Sequence, residues 1–441
     1  MRHPLSPFRR HALALAALLC IASSRGAVGQ LPAVAPSPDL TVYLLTAGQG
    51  DLVWEKFGHN AIWIHDPATG TDRVYNYGLF DFNSPGYWGR FLKGTWIYQL
   101  GVAEIDQFMY LYRATNRSVW VQELNLTPAR KTELQAFLEW NALPENREYR
   151  YDYFRDNCST RVRDALDRAT GGALRRATAD SLTDKTFRWH SRRLIAEDRV
   201  SYTGMHAGLG PAADRPITAW QEMFVPMEVQ KQVQRIRVRD SAGVLVPLVA
   251  NERQIFSALG RPPERTAPPK WTGWFLLIGG AVGGALAALA RAARRGAFAR
   301  FGFAVLSSVW ALLTGVGGVL LVLLWTLTDH TAAHANHNLL QFDPLALPLG
   351  VLLPALFYGV RRAARPALWL AGAVAALSLL GLLLKVVPGW YQVNGEIIAL
   401  MLPAHLGMLA AAYGLARAPT PLESAPATPS RGRTDLRHEK V

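Results

Sequence analysis

Hydrophobic residues are unevenly distributed along the 441-residue chain, and its second half contains long apolar segments separated by short polar loops. Each segment approaches the roughly 20 residues that a helix needs to cross the apolar core of a bilayer. The predicted membrane helices lie near residues 271–290, 302–327, 344–360, 367–387 and 396–416. We therefore predict an all-α bundle of five transmembrane helices within residues 271–416, followed by a disordered cytoplasmic tail over residues 417–441.

The first thirty residues follow a different pattern, in which basic residues precede an apolar run. Basic residues within positions 2–10 come before the apolar stretch 12–22, and small residues follow as far as Gly29. This order is typical of a secretory signal peptide, which we predict to span residues 1–29. Lipid attachment at Cys20 is the less favoured alternative, because Leu19 is bulky where lipoprotein signals have a small residue.

Residues 30–265 contain shorter apolar patterns and predict an exported domain that mixes α and β structure. Alternating, β-branched or aromatic runs predict strands, and residues 66–70 predict a turn between two of them. Thr127 before Pro128 predicts a helix that extends to about Asn141. Asn157 predicts the cap of a second helix. The predicted strands cover residues 40–45, 59–64, 73–77 and 119–126.

The net charge of +14 is concentrated in short clusters between and after the apolar segments, which argues against a nucleic-acid partner. Loops 291–300 and 361–365 contain four and three arginines, whereas loops 328–344 and 388–395 contain no lysine or arginine. Basic loops of membrane proteins remain in the cytoplasm. The sequence thus predicts a multi-pass protein of the bacterial inner membrane, with a periplasmic N-terminal domain and a cytoplasmic C-terminus.

Cys158 is the cysteine that remains after signal cleavage, so it has no partner for a disulfide within the mature chain. It is either an inert buried thiol or a reactive one. Asn157 as a helix cap places Cys158 in the first turn, where unpaired N–H groups and the helix dipole lower the pKa of a thiol. We therefore predict that Cys158 is a nucleophile whose pKa lies below that of a free cysteine.

His59 is the predicted general base, because it begins a strand next to Gly58, which permits close approach of the backbone. Asn76, on the paired strand, is the favoured group to orient the imidazole, since its amide oxygen accepts an N–H. Tyr75 and Asp72 remain alternatives for this role. The other histidines of the domain are interpreted as surface groups or as groups that support the site: His65, His190 and His206. No spacing specific for zinc is present, so neither a metal nor a cofactor is implied.

At these residues the chain resembles the Lnb family of bacterial lipoprotein N-acyltransferases. The order of histidine, polar residue and asparagine-cysteine is also similar to permuted papain-like enzymes. The resemblance implies an α+β permuted papain-like (NlpC-like) outer domain and an acyl transfer in two steps. Cys158 attacks an ester of a diacyl lipid and forms a thioester while His59 takes the proton, and the α-amine of a lipoprotein's N-terminal cysteine then receives the acyl chain. The matching stretches are residues 57–61, 75–82, 98–112 and 151–160.

The outer loop 328–340 is rich in imidazole and amide groups, and we expect it to bind or orient the acyl donor, a membrane phospholipid or lipoprotein. Residues beside the predicted catalytic groups are also assigned to substrate binding. A solvated interhelical loop, or a divalent metal at His330, His334 and His337, remains an alternative. The predicted substrate-binding residues are Tyr75, Tyr77, Asn157, His330, Asn336 and Asn338.

Two other functions remain open from the sequence. An exported cysteine peptidase or amidase acting on cell-wall peptide would use the same thiol but would not need a bundle of membrane helices. A non-catalytic membrane assembly or binding protein would retain Cys158 for structural reasons alone.

Overall fold

A computed structural model describes residues 39–81, 83–292 and 296–417 of the chain. The predicted signal peptide, Phe82 and the tail beyond Arg417 lie outside the described residues. The chain forms two compact units. The first comprises the residues up to Lys270 together with Leu321–His337 and Tyr391–Asn394, and the second comprises the remainder.

The strands of the first unit build a seven-stranded antiparallel sheet and two small two-stranded sheets. The strands are β1 (Thr41–Ala47), β2 (His59–Asp66), β3 (Thr71–Leu79), β4 (Ile97–Glu104), β5 (Val119–Leu124), β6 (Glu148–Arg150), β7 (Leu182–Thr186), β8 (Pro216–Thr218), β9 (Arg237–Arg239), β10 (Leu245–Pro247) and β11 (Val249–Phe256). The large sheet has the order β11-β5-β1-β2-β3-β4-β6, while β7 pairs with β8 and β9 with β10. All four predicted strands are confirmed, as is the turn at residues 66–70.

Helices of the first unit connect and cover these strands. They are α1 (Tyr87–Lys93), α2 (Ile105–Ala114), α3 (Pro128–Ala142), α4 (Cys158–Ala169), α5 (Ala173–Thr178), α6 (Phe187–Leu194), α7 (Arg199–Gly208), α8 (Ala219–Glu222) and α9 (Pro226–Arg235). The Thr127 side chain accepts the N–H of Arg130 at the start of α3, as its position before Pro128 predicts. Both helices predicted for this domain are confirmed.

Alternation along the central strands directs side chains to two separate cores. Ile62 and Ile64 of β2 belong to the core that includes residues of α3 and α4, whereas Ala61 of β2 belongs to the core that includes residues of α2. Since side chains of a strand alternate between faces, His59 shares the α2 face with Ala61. The ring of His59 stacks there on that of Tyr112, with centroids 6.4 Å apart.

The second unit is helical and contains most of the apolar segments. Its helices, with the shared one that ends at Leu327, are α10 (Thr272–Ala292), α11 (Ala297–Leu327), α12 (Leu349–Phe357), α13 (Ala364–Leu383) and α14 (Gly395–Ala416). Helices α10 and α14 pack closely because Gly279 and Gly283 lie against backbone oxygens of Leu400 and Pro403. Small residues at such a crossing are typical of helix pairs in membranes.

Four of the described helical stretches are long and apolar enough to cross a membrane: Thr272–Ala292, Ala297–Leu327, Arg361–Val386 and Gly395–Ala416. The segment predicted near 344–360 differs from the expectation, because it is not one helix. It consists of the short turns His337–Ala346 and helix Leu349–Phe357, which meet at 50°. Pro344 and Pro348 lie at the break, and proline at such positions removes backbone donors and bends the chain. Counting this bent pair as one span gives five.

Candidate active site

Cys158 is the first residue of α4, and the capping geometry around it is complete. The Asn157 side-chain oxygen accepts the N–H groups of Ser159 and Thr160, both at 2.9 Å, and the Thr160 hydroxyl accepts the N–H of Asn157 at 2.8 Å. The Asn157 amide also donates to the carbonyls of Tyr153 and Phe224. The hydrogen-bonding groups of this buried side chain therefore fix the start of the helix.

His59 and Asn76 are joined across the sheet by a hydrogen bond of 2.5 Å between Nε2 of the ring and Oδ1 of the amide. An amide oxygen only accepts, so Nε2 carries the proton and Nδ1 retains its lone pair. The neutral ring is thus set in the tautomer that a general base needs. Tyr75 and Asp72 do not hold this ring, since their side chains bond to Glu139 and His65 instead.

Gly78 lies beside both Cys158 and His59. It has φ +91° and lies in an irregularity between β3 and β4. A Cβ atom at this position would be 3.1 Å from Cβ of Cys158 and 3.9 Å from Cε1 of His59. Both side chains therefore border the same small space, and only a glycine leaves that space open. Cys158, His59 and Asn76 are each half-buried.

The electrostatics of the pair differ from the sequence-based expectation of a thiol with a lowered pKa. Backbone N–H groups of Asn60, Ser159 and Cys158 itself point at the sulfur, and together with the nearby Arg117 cation they lower its pKa. Burial outweighs them and raises the pKa of Cys158 to about 11. Burial and Arg117 lower the pKa of His59 to about 4, against the Asn76 hydrogen bond. Both groups are therefore uncharged at neutral pH.

Tyr75 and Tyr77, predicted to bind substrate, lie on the opposite face of β3 from Asn76. Both are buried in the core of α3 and α4. The Tyr75 hydroxyl donates to Glu139 and the Tyr77 hydroxyl to Asn141, at 2.5 and 2.6 Å. These bonds attach the sheet to α3 and leave the two hydroxyls engaged within the protein, so their contacts are those of packing residues.

Aromatic side chains connect the surroundings of the thiol with the surface of the domain. A negative charge on Cys158 would raise the pKa values of four nearby tyrosines: Tyr98, Tyr112, Tyr149 and Tyr151. The rings of Tyr98 and Tyr151 stack at 4.1 Å, and Trp96 stacks on Tyr151 at 5.6 Å and on Phe91 at 5.1 Å. The thiol thus adjoins a continuous apolar path that reaches α1.

The predicted substrate-binding residues of the outer loop have different environments. His330, in the first unit, is half-buried and meets Trp96 edge to face, with ring centroids 5.8 Å apart. Asn336 is buried, donates to the carbonyls of Ala207 and Gly208, and accepts from Gln392. Asn338 is buried in the second unit. Among them, His330 adjoins the apolar path, while Asn336 connects the loop to the end of α7 through hydrogen bonds.

A separate buried cluster of potential metal ligands lies outside this site. His190, Glu222 and Glu228 place one ligand atom each within 4.8 Å of the others. Their lone pairs are already engaged: Glu222 accepts from His190 and Lys185, both at 3.0 Å, and Arg193 contacts His190 and Glu228. The donor set is thus an ion-pair network. His190 and His206 are both buried, so of the two interpretations given for them the one as surface groups is wrong.

Several residues of the site were not predicted from the sequence. Gly78 lies within the matching stretch 75–82, but its role depends on a strand irregularity that no local pattern specifies. Arg117 is buried on the α2 face, where its guanidinium lies 4.9 Å from the Tyr112 ring centroid and also contacts Glu55. Asn60 is buried and accepts the hydroxyl of Ser159, which connects β2 to the first turn of α4.

The first unit is an antiparallel α/β domain in which a cysteine, a histidine and an asparagine lie close together. The same chain contains several candidate membrane spans. These features define a membrane protein with a candidate thiol site. The family model of the Lnb N-terminal periplasmic domain matches residues 33–196, and that of the Lnb transmembrane domain matches residues 285–413. Together they cover more than half of the chain, which belongs to the Lnb family. Neither the curated proteins nor the solved structures contain a match. The family resemblance is therefore confirmed, and the N-terminal domain is periplasmic.

Proposed function

We propose that this protein is a cysteine-dependent acyltransferase that moves an acyl chain from a membrane phospholipid or lipoprotein to the α-amine of a lipoprotein's N-terminal cysteine. Membership of the Lnb family supports a membrane protein of lipoprotein biogenesis. The observation that carries the enzymatic part is the meeting of Cys158 and His59 beside Gly78, with Asn76 holding the far nitrogen of the ring.

The resting pair is uncharged, so proton transfer accompanies attack. His59 Nδ1 takes the thiol proton as the sulfur of Cys158 forms a bond to the ester carbonyl carbon. The carbon–oxygen bond of the ester then breaks, the leaving alkoxide receives the proton from His59, and an acyl thioester remains. Backbone N–H groups that point at the sulfur, those of Asn60 and Ser159, favour negative charge at this position.

The second half-reaction repeats these roles with an amine. The α-amine attacks the thioester carbonyl, and His59 takes a proton from the nitrogen. The carbon–sulfur bond breaks, and the sulfur of Cys158 recovers the proton. The products are an amide on the lipoprotein and a free thiol. Asn76 acts throughout by keeping Nε2 protonated.

The proposed fold of the periplasmic domain is a permuted papain-like one. The cysteine at the start of a helix, with the histidine and asparagine on neighbouring antiparallel strands, supports it. We further propose the division of the chain into a signal peptide over residues 1–29, the thiol domain over 30–265, the transmembrane domain over 271–416 and a cytoplasmic tail over 417–441.

The proposed orientation places the protein in the inner membrane with five spans and a cytoplasmic C-terminus. Asn336 of the first outer loop accepts a hydrogen bond from Gln392 of the second at 2.9 Å, and both belong to the first unit. Two loops in contact lie on one side of the bilayer, so the chain between them crosses an even number of times. Since Arg361–Val386 is one such crossing, the bent pair supplies the other.

The test is expression in a bacterium whose own N-acylation step can be depleted, followed by mass spectrometry of lipoprotein N-terminal peptides. The wild-type chain is expected to restore acylated α-amines. Cys158→Ser and His59→Ala are expected to lose at least about 100-fold of this activity, the usual contribution of a nucleophile or general base. Asn76→Ala is expected to give an intermediate loss, because the ring stays in place through Tyr112.

The matched control is His65→Ala, which removes a histidine from the same strand that instead pairs with Asp72. It is expected to retain acylation. Full activity in Cys158→Ser would leave the non-catalytic membrane protein as the better description. Free α-amines together with cleaved cell-wall peptide would favour the cysteine peptidase or amidase.

A further inference from the structure

Helix α1 presents three large apolar side chains to the outside of the first unit. Trp88 is 63% exposed, Leu92 68% and Phe91 39%. Tyr87 on the same helix is buried and stacks on Phe80. The helix is thus attached to the domain by one face and, among the described residues, has an aromatic and aliphatic face that is largely exposed.

The C-terminal end of α1 is capped by the loop that follows a candidate membrane span. The carbonyl of Lys93 accepts the N–H of Asp329 at 2.8 Å. His330 lies against Gly94, the residue after α1, and the backbone of Phe91 and Leu92 at the helix end acts on its ring and raises the ring pKa against the effect of burial. Residues Leu321–His337 belong to the same compact unit as α1, so these contacts lie within one body.

These contacts fix the depth of α1 relative to the bilayer. Helix α11 ends at Leu327, and Asp329 is the second residue after it. Helix α11 has 31 residues, more than the roughly 20 that cross the apolar layer, but its sequence stays apolar up to Leu327, and two residues of chain extend only a few ångström further. The end of α1 therefore lies close to the end of this candidate span. The helix contains Arg90 and Lys93 and no acidic residue, and basic side chains beside aromatic ones are typical of helices that lie on a membrane surface.

We propose that α1 is a membrane-surface helix whose Trp88, Phe91 and Leu92 side chains insert into the headgroup layer of the bilayer that α11 crosses. Tryptophan and phenylalanine with nearby basic residues are favoured at this depth, because their rings bury apolar surface beside polar lipid groups. The occupant of the exposed face is a phospholipid surface. The inference does not depend on acyl transfer, since it rests on exposure and on the contacts with Asp329 and His330.

The test uses the full chain in phospholipid nanodiscs. Each variant also carries Cys158→Ser, so that the label attaches to the engineered cysteine. Trp88→Cys is labelled with an environment-sensitive fluorophore, and the quenching by lipids that carry a spin label just below the headgroup is measured. Trp140→Cys is the matched control, because Trp140 is an exposed tryptophan of the same domain, 54% exposed, on α3. Quenching at position 88 is expected to exceed that at position 140 at least threefold.

Equal quenching at the two positions, or none at position 88, would overturn the proposal. Leu92→Cys provides a second reporter on the same face, so that a local effect of replacing one tryptophan cannot decide the result. It is expected to behave as position 88 does. The Cys158→Ser background is inactive under the proposed function, so lipid contact at these positions would stand even if acyl transfer were disproved.

Discussion

The thiol and imidazole of the candidate site rest as an uncharged pair, and the cause is burial. The N–H groups at the start of α4 and the Arg117 cation favour a thiolate, as the position of Cys158 at a helix start predicts. Removing the sulfur from water disfavours the same anion more strongly. In such a site the general base has to act during the attack, which gives His59 a role that a preformed thiolate would not require.

Alkylation of Cys158 by iodoacetamide tests this charge state. Since the thiolate is the reacting form and the pKa of Cys158 is raised to about 11, the rate is expected to rise about tenfold per pH unit from pH 7 to pH 10. A free cysteine would level off above its pKa of about 8.5. The measurement is the rate of mass increase of the intact protein in detergent at each pH.

Arg117→Met is the informative variant for this profile. Loss of the cation removes an influence that lowers the pKa of Cys158, so alkylation at pH 9 is expected to become slower than in the wild-type protein. A plateau reached below pH 8 in the wild-type protein would contradict the uncharged pair and favour a preformed thiolate.

At the scale of elements, the site depends on an irregularity in β3. The register shifts between Asn76 and Leu79, where Gly78 has a positive φ and faces Cys158. A bulge of this kind changes the direction of the following side chains and increases the local twist. The start of α4 lies here close to the start of β2, although the two elements are far apart in the chain.

Gly78→Ala is expected to abolish acyl transfer. The new Cβ would be 3.1 Å from Cβ of Cys158, and α4 would have to shift away from His59. Gly70→Ala is the matched control, because Gly70 also has a positive φ, of 65°, but its added Cβ meets nothing within 4 Å. Both variants are expected to lose about 1–2 kcal/mol of unfolding free energy through strain, and only Gly78→Ala to lose activity.

The two measurements are thermal unfolding and the N-terminal peptide assay. If both alanine variants lost activity equally, backbone strain rather than contact with Cys158 would explain the effect. If neither did, Gly78 would not be the spacing element between the thiol and the imidazole.

Local patterns were sufficient to predict the strands, the caps at Thr127 and Asn157, and the pairing of His59 with Asn76, because each depends on neighbours in sequence or on one hairpin. The contact of Cys158 with that hairpin depends on how α4 packs across the sheet, which no periodicity specifies. The segment 344–360 is bent rather than one straight helix, and hydropathy alone does not give the 50° angle at its break. The predicted pKa of Cys158 failed because burial is a property of the folded chain.

At the scale of the whole molecule, the periplasmic domain is held to two interhelical loops rather than to one. The first loop is fastened by Asn336 to the end of α7. The second is fastened by Gln392, which donates to the carbonyl of Leu209, and by the N–H of Val393, which donates to Asp214. The chain therefore returns to this domain twice.

The bent pair before Arg361 decides the topology, because a re-entrant loop there would place the C-terminus outside. Full-length chains with one engineered cysteine in the Cys158→Ser background are exposed to a membrane-impermeant maleimide. Ala335→Cys and Pro388→Cys, on the two outer loops, are expected to react in spheroplasts. Arg362→Cys and Arg417→Cys are expected to react only after the membrane is permeabilised, as arginine-rich cytoplasmic loops require. Reaction of position 362 in intact spheroplasts would mean that the bent pair does not cross.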